Sequence, residues 1–177
     1  MRFIPTELDG VYIIELEPVL DERGFVARTF CEREFEKNKL TNRFVQCNVV
    51  WSKVKGTLRG MHYQVAPYAE VKIVRCTRGA IYDVIIDLRP DSQTRIKWIA
   101  VELTSVCNKM LYVPEGFAHS YQTLERDSEV SYWMSNYYSP EAQRGIRWDD
   151  PAFDICWPIP DPILSERDRS YPDFVTV

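Results

Sequence analysis

The sequence predicts an all-β protein, either a sandwich or a barrel, and three observations support this. Short runs of β-branched and aromatic residues recur along the chain, and Gly, Pro, Asn and Asp separate them. The helical period of 3.6 residues is nearly absent. With 177 residues, 45 % of them hydrophobic, the chain can bury one core. Because no repeat or linker divides it, we expect residues 1–177 to form a single domain.

Ten segments have the composition and length of strands, and one has the pattern of a helix. The predicted helix covers residues 32–40. From Asp150 onward the chain is rich in proline, which lacks the donor that a strand needs, so we expect ordered loops with short helical turns there. The predicted strands are residues 10–19, 24–30, 44–52, 57–64, 70–76, 80–89, 95–103, 109–116, 119–125 and 129–138.

The strand at residues 80–89 carries charge on a partly apolar face. Side chains alternate along a strand, so Asp83 and Asp87 share one face with Ile81 and Ile85. Such a face lies either at a barrel mouth or toward a polar interior. We therefore expect the interior of the barrel to hold the site of chemistry.

Composition excludes several classes of partner. A net charge of −4 and a pI near 5.3 argue against a nucleic-acid surface, which needs a basic stripe. No apolar run reaches the length of a signal peptide or membrane span, so we expect no membrane partner and a cytoplasmic location. The five cysteines form no C-x-x-C pair and are interpreted as reduced.

His62 is the candidate around which the chemistry is organised. A lone histidine in an apolar strand is more often a hydrogen-bonded core residue, but Lys72 strengthens a functional interpretation. A hairpin centred on Pro67 would oppose His62 and Lys72, and the cation would keep the imidazole neutral and basic. Arg59 has the opposite parity to His62, so it needs a twist or a bulge of the strand to share the pocket, and Gly60 would allow either.

Two tyrosines follow in the strand at residues 129–138. Period-two alternation places Tyr132 and Tyr138 on one face together with Met134 and Asn136. Packing is the more frequent role of such a pair. In the functional alternative, one phenol donates a proton and the other offers a flat surface for a base ring.

A metal site is the first competing interpretation of His62. Metal-binding barrels commonly carry two histidines separated by one residue, with an acidic ligand a few residues on. Here His62 is followed by Tyr63 and Gln64, and the nearest acid, Glu70, stands alone. The sequence therefore predicts acid–base chemistry with no bound metal.

A set of motifs carries a family resemblance. They are DERGFVARTF, FVQCN, LRGMHYQ, PYAEVKIVRCTRGAIYDVIIDLR, VPEGFAHSYQTLE, SNYYSP, IRWDDPAFDICWP and ILSERD. In order, and over nearly the whole chain, they resemble the dTDP-4-dehydrorhamnose 3,5-epimerase family. The resemblance implies a cupin-type jelly-roll β-barrel with a few short peripheral helices, a homodimer, no metal and no cofactor. It also implies that the substrate is a nucleoside-diphosphate 4-keto-6-deoxyhexose.

The resemblance also implies roles for individual residues. His62 corresponds to the general base, Asp168 to the carboxylate that orients it, Lys72 to the group that stabilises the enolate, and Tyr132 to the acid on the other face of the sugar. Arg167 replaces the lysine of LSxKD, keeping the charge but not the shape. The positions that correspond to contacts with the diphosphate and base are Arg23, Gln46, Asn48, Arg59, His119 and Tyr138.

Departures from the family pattern concentrate on the nucleotide. Val26, Arg28 and Gln143 occupy positions where the family usually has a bulky aromatic residue, a glutamate and a further acid. Thymidine and another base, for example that of CDP, therefore both remain open. Glu70, where glutamine is common, is expected to complement Arg28.

Three further questions stay open at this point. Inversion could involve C3, C5 or both carbons of the sugar. A second enzyme class, ketoisomerases that move the keto group between C3 and C4, ranks well below because it lacks the set of Lys72, Tyr132 and LSERD. A third class is a non-catalytic sugar-nucleotide-binding cupin.

Overall fold

The computed structural model describes residues 1–175, which form two antiparallel β-sheets packed face to face. The two helices are short, α1 (Glu32–Lys37) and α2 (Glu166–Arg169). The first strands are β1 (Arg2–Pro5), β2 (Tyr12–Glu15), β3 (Val19–Asp21), β4 (Gly24–Val26), β5 (Gln46–Ser52), β6 (Leu58–Gln64) and β7 (Lys72–Arg78). The others are β8 (Ala80–Asp87), β9 (Trp98–Thr104), β10 (Lys109–Val113), β11 (Phe117–Thr123), β12 (Ser128–Met134) and β13 (Gln143–Gly145). The predicted all-β jelly roll is confirmed.

The order of strands divides the barrel into two walls. One sheet has the order β1-β2-β10-β7-β12-β5, and the other has the order β13-β6-β11-β8-β9. Strands β3 and β4 pair only with each other, and we call residues 19–26 the arm. Among residues 1–175 no helix is long and apolar enough to cross a membrane.

Apolar side chains form three clusters, one between the sheets and one on each outer face. The central cluster joins residues such as Val74 and Leu111 of the first sheet to Ile81 and Ile85 of the second. Phe35 of α1 is fully buried against the outer face of the first sheet. The segment after β13 covers the outer face of the second sheet. Burial of these apolar surfaces accounts for the main stabilising free energy.

Each predicted strand and the predicted helix overlap an observed element, although their bounds differ and two short strands were missed. The segment at residues 10–19 divides into β2 and β3, and the helix ends at Lys37 because Lys39 has a positive φ of 58°. Strand β12 ends at Met134, so Asn136 and Tyr138 lie beyond it. The short strands β1 and β13 were not predicted. The segment from Asp150 forms loops and α2, as predicted.

The predicted hairpin around Pro67 is wrong. Strands β6 and β7 belong to different sheets, and His62 pairs with His119 and Gly145 rather than with Lys72. Residues 65–71 cross from one wall of the barrel to the other, a path that side-chain alternation alone does not specify. The base and the cation therefore belong to opposite walls of the barrel.

Candidate active site

A cavity of about 530 Å³ lies between the two sheets and opens to solvent. Its size fits a small-molecule site, and its walls combine apolar side chains with polar groups that converge. Both sheets and the segment around α2 contribute to it. The candidate residues that line it are Asn48, Arg59, His62, Glu70, Lys72, His119, Tyr132, Tyr138, Gln143, Arg167 and Asp168.

His62 is held by a carboxylate from the segment after β13. Ser165 caps α2 by accepting a hydrogen bond from the Asp168 N–H, and this places the Asp168 side chain 2.6 Å from His62 Nε2. Burial raises the pKa of the Asp168 carboxyl, but hydrogen bonds from His62, Ser165 and the Gly60 backbone outweigh it and hold the pKa below its usual range. Because a carboxylate only accepts, Nε2 carries the hydrogen and Nδ1 is the basic nitrogen.

Lys72 forms a buried ion pair on the opposite wall. Its Nζ lies 2.8 Å from Glu70 Oε1, with side-chain exposures of 12 % for the lysine and 3 % for the glutamate. The expected pairing of Glu70 with Arg28 is therefore not met within one chain, since Arg28 Nη1 lies 2.9 Å from Glu34 Oε1. Burial of the lysine is compensated by its neighbour, and both side chains line the cavity.

Tyr132 shares the wall of Lys72, across the cavity from His62. Burial raises the pKa of the Tyr132 phenol, and the charge of Glu70 raises it further, whereas Asn48 and Arg59 act in the opposite direction. The phenol is therefore protonated at neutral pH and can donate a proton.

A second histidine–carboxylate pair lies deeper in the barrel. His119 Nε2 is 2.9 Å from Asp83 Oδ1 and 3.0 Å from Oδ2. Burial raises the pKa of the Asp83 carboxyl, while His119 and Lys72 lower it. Asp83 is fully buried in the interior, one of the two placements that the sequence left open, and its pairing with His119 was not anticipated from the sequence.

Arg59 reaches the cavity through the bulge expected at Gly60. The register of β6 against β11 shifts there, so His62 opposes His119 while Arg59 opposes Tyr121. Gly60 has a φ of 120°, and a Cβ at this position would lie 2.6 Å from the His119 carbonyl oxygen. Glycine is thus required for the bulge that presents a guanidinium beside the base.

The nucleotide-binding candidates fall into two groups, and the first lies at the cavity. Tyr138 donates from its hydroxyl to Gln143 Oε1 at 2.7 Å, and its backbone N–H donates to Gln46 Oε1 at 2.5 Å. Gln46 supports Tyr138 from beside the cavity rather than lining it. Polar side chains thus gather around the Tyr138 phenol, and Arg167 interacts with the same ring oxygen.

The second group lies on or near the arm, away from the cavity of the same chain. Arg23 is 84 % exposed and pairs with Asp21, while Arg28 pairs with Glu34. The arm extends from the barrel because it pairs with neither large sheet. The expectation that Arg23 and Arg28 join the other site residues is therefore not met within one chain. The same holds for Val26, which is 76 % exposed.

Metal-ligating residue types do not cluster in the described part of the chain. Over residues 1–175 there is no group of three or more His, Cys, Asp or Glu side chains arranged to hold a metal ion. His62 and His119 are instead each bonded to a single aspartate.

The fold and site define a class, a jelly-roll protein whose cavity carries titratable side chains on both walls and no metal cluster among the described residues. Comparison with known proteins names the family. The family model described as dTDP-4-dehydrorhamnose 3,5-epimerase matches residues 5–176. The chain belongs to this family and is an epimerase.

Individual relatives cover the whole fold. The dTDP-4-dehydrorhamnose 3,5-epimerase of Shigella flexneri is 42 % identical, over 99 % of this chain and 97 % of its own. The crystal structure of the Bacillus anthracis enzyme with TDP and PPi bound superposes with a TM-score of 0.95 at 38 % identity, covering 98 % of this chain and 99 % of that one. A 3'-monoepimerase from Streptomyces bikiniensis in complex with dTDP-quinovose has a TM-score of 0.89 at 30 % identity, covering 96 % and 86 %.

Proposed function

We propose that this protein inverts C3, C5 or both carbons of a nucleoside-diphosphate 4-keto-6-deoxyhexose in deoxysugar biosynthesis. One observation carries the proposal: His62, hydrogen-bonded to Asp168, lies across the cavity from Tyr132 and Lys72. Epimerisation beside a ketone needs a base on one face of the ring and an acid on the other.

Each residue then has a definite step. His62 Nδ1 takes the proton from the carbon next to the ketone, and Asp168 stabilises the imidazolium that forms. The electron pair moves to the keto oxygen, where the Lys72 ammonium stabilises the enolate by several kcal/mol. Tyr132 returns a proton to the opposite face, which inverts the carbon. The substrate's own ketone acidifies these positions, so the reaction needs no cofactor.

Solvent exchange tests the proposal. In deuterated water the protein should introduce deuterium at C3, C5 or both carbons of an NDP-4-keto-6-deoxyglucose, and the labelled carbons identify those that invert. His62→Ala should abolish exchange. Tyr132→Phe should retain exchange but lose inversion, because the proton returns from the same side. Binding without exchange would instead identify a non-catalytic sugar-nucleotide-binding protein, and a product with its keto group at C3 would identify a ketoisomerase.

We further propose dTDP as the nucleotide, because solved relatives are described with TDP or dTDP-sugars. Of the three departures from the family pattern, Gln143 alone lines the cavity of its own chain. Calorimetric titration with dTDP, CDP, UDP and GDP tests this, and tighter binding of CDP than dTDP would overturn it.

We also propose a homodimer in which the arm of one protomer meets the other. The arm exposes four apolar side chains, each between 53 % and 76 %, and a soluble monomer rarely leaves such a group uncovered; they are Val19, Leu20, Phe25 and Val26. A symmetric partner would cover them and would bring Arg23 toward the second cavity. Light scattering should give twice the protomer mass for the wild-type protein and a single protomer mass for Leu20→Glu.

We also propose a cytoplasmic location, which fits the five free cysteines.

A further inference from the structure

Tyr171 lies two residues beyond the end of α2, and its ring packs against the candidate base. The ring centroids of Tyr171 and His62 are 5.9 Å apart at an interplanar angle of 74°, an edge-to-face contact. Gly145 of β13, which pairs with His62, leaves the space for this ring. A Cβ at Gly145 would lie 2.2 Å from the Tyr171 ring, so any larger residue there would displace it.

The hydroxyl of Tyr171 faces a second functional group. Arg167 Nε donates a hydrogen bond to the Tyr171 oxygen at 2.9 Å, and Arg167 lines the cavity. Arg167 also interacts with the Tyr138 phenol, which is bonded to the nucleotide candidates Gln46 and Gln143. One side chain thus contacts the base through its ring and a guanidinium through its oxygen.

We propose that Tyr171 is a positioning residue for both ends of the substrate. Its ring keeps the His62 imidazole aligned with Asp168, and its hydroxyl keeps the Arg167 guanidinium directed at the diphosphate. This inference rests on the proposed function. Tyr171 lies outside the motifs that carry the family resemblance, and the mechanism above does not use it.

The two contacts have separable consequences. The imidazole is held by Asp168 on its Nε2 edge and by the phenol ring on its flank, so loss of the ring frees rotation about the Cβ–Cγ bond. A displacement of about 1 Å at a base can cost about 10²-fold in rate. Arg167 loses only one hydrogen-bond acceptor if the hydroxyl is removed, and a planar guanidinium depends on its orientation to bind a diphosphate.

Two substitutions at one position test the proposal. Tyr171→Phe should weaken dTDP binding and raise KM by about 3- to 10-fold, while kcat stays within about twofold, since a single hydrogen bond is lost. Tyr171→Ala should also lower kcat by about 10- to 100-fold. Gly145→Ala should reproduce the fall in kcat by displacing the ring. The matched controls are Tyr82→Phe and Tyr82→Ala, which alter a tyrosine that packs on Trp157 outside the cavity.

A merely structural role would give another result. In that case Tyr171→Phe and Tyr171→Ala would lower the melting temperature as the Tyr82 controls do, without separating kcat from KM, and the proposal would be wrong. Failure of the proposed function is distinguishable, because the wild-type protein would then show no exchange. The proposal would still be tested by calorimetry with dTDP and by the ¹⁵N–¹H signal of His62 Nε2, which should move in Tyr171→Ala and not in Tyr171→Phe.

Discussion

Removal of one partner of the Glu70–Lys72 ion pair should destabilise the protein far more than removal of both. The two charged atoms are 2.8 Å apart, and the side chains are 3 % and 12 % exposed. At an effective dielectric constant of about 20, the attraction amounts to about 6 kcal/mol. Desolvation of each ion offsets several kcal/mol, so the intact pair contributes little net stability.

The single variants remove the attraction but leave one desolvated charge. Glu70 Oε2 is buried and has no hydrogen-bond partner in the described structure, so Lys72 is the compensating group for this carboxylate. We expect Glu70→Gln and Lys72→Met each to lower the free energy of unfolding by about 3 kcal/mol. The double variant should lose only about 1 kcal/mol, less than either single variant, so the coupling should be about 5 kcal/mol, close to the attraction between the two charges.

Urea denaturation at one fixed protomer concentration measures this cycle, because subunit association changes the apparent stability. A parallel cycle on Arg147 and Asp149, an exposed pair 2.6 Å apart, is the control and should show no coupling beyond error. If the Glu70 and Lys72 variants are additive within about 0.5 kcal/mol, the reasoning about a buried, mutually dependent pair is refuted.

Three further predictions concern the carboxylate that supports His62, the stability of the protein at low pH and the bulge at Gly60. Asp168→Asn should lower the deuterium-exchange rate by about 10²-fold with dTDP affinity unchanged, because the imidazolium loses its charge partner; unchanged exchange would contradict this. Burial raises the pKa of Asp87, but hydrogen bonds from Arg89, Ser92 and Thr94 outweigh it and lower the pKa to about 2. Because the pKa is lower in the folded protein, ionised Asp87 stabilises the fold at pH values above the ordinary pKa of aspartate. This stabilisation is lost as the pH falls through about 2. Asp87→Asn should therefore cost about 2 kcal/mol at pH 7, with a deficit in urea titrations that disappears toward pH 2. Gly60→Ala should cost at least about 2 kcal/mol and displace Arg59, seen as weaker dTDP binding in calorimetry; native affinity would count against the bulge argument.

The sequence predicted the strands well because alternation and turn residues are local signals. The irregularity at Gly60 also followed from local parity, since Arg59 and His62 could share a cavity only through a twist or a bulge, and the structure has the bulge. The roles of His62, Lys72, Tyr132 and Asp168 came from the family resemblance, and their gathering in one cavity agrees with it. Their chemical steps remain predictions.

The predictions that failed concern contacts between residues that are distant in the sequence. Nothing in residues 65–71 says whether the chain turns back or crosses to the other sheet, so the hairpin between His62 and Lys72 was wrong. The Glu70–Lys72 pair had a usable signal, because residues two apart point to the same side of an extended chain. Tyr171 had none, since a residue in irregular chain after a short helix acquires its neighbours only from the tertiary fold.

The residues that orient His62 lie in the segment around α2, outside the two sheets of the barrel that carry His62 itself. His62 lies on a strand within a packed sheet, whereas Asp168, Arg167 and Tyr171 lie on a short piece of chain laid against that sheet. Substitutions in such a piece alter few core contacts and so carry a small stability penalty. Related barrels can therefore diverge through substitutions in this segment, which change the basicity and orientation of the histidine while the two sheets stay the same.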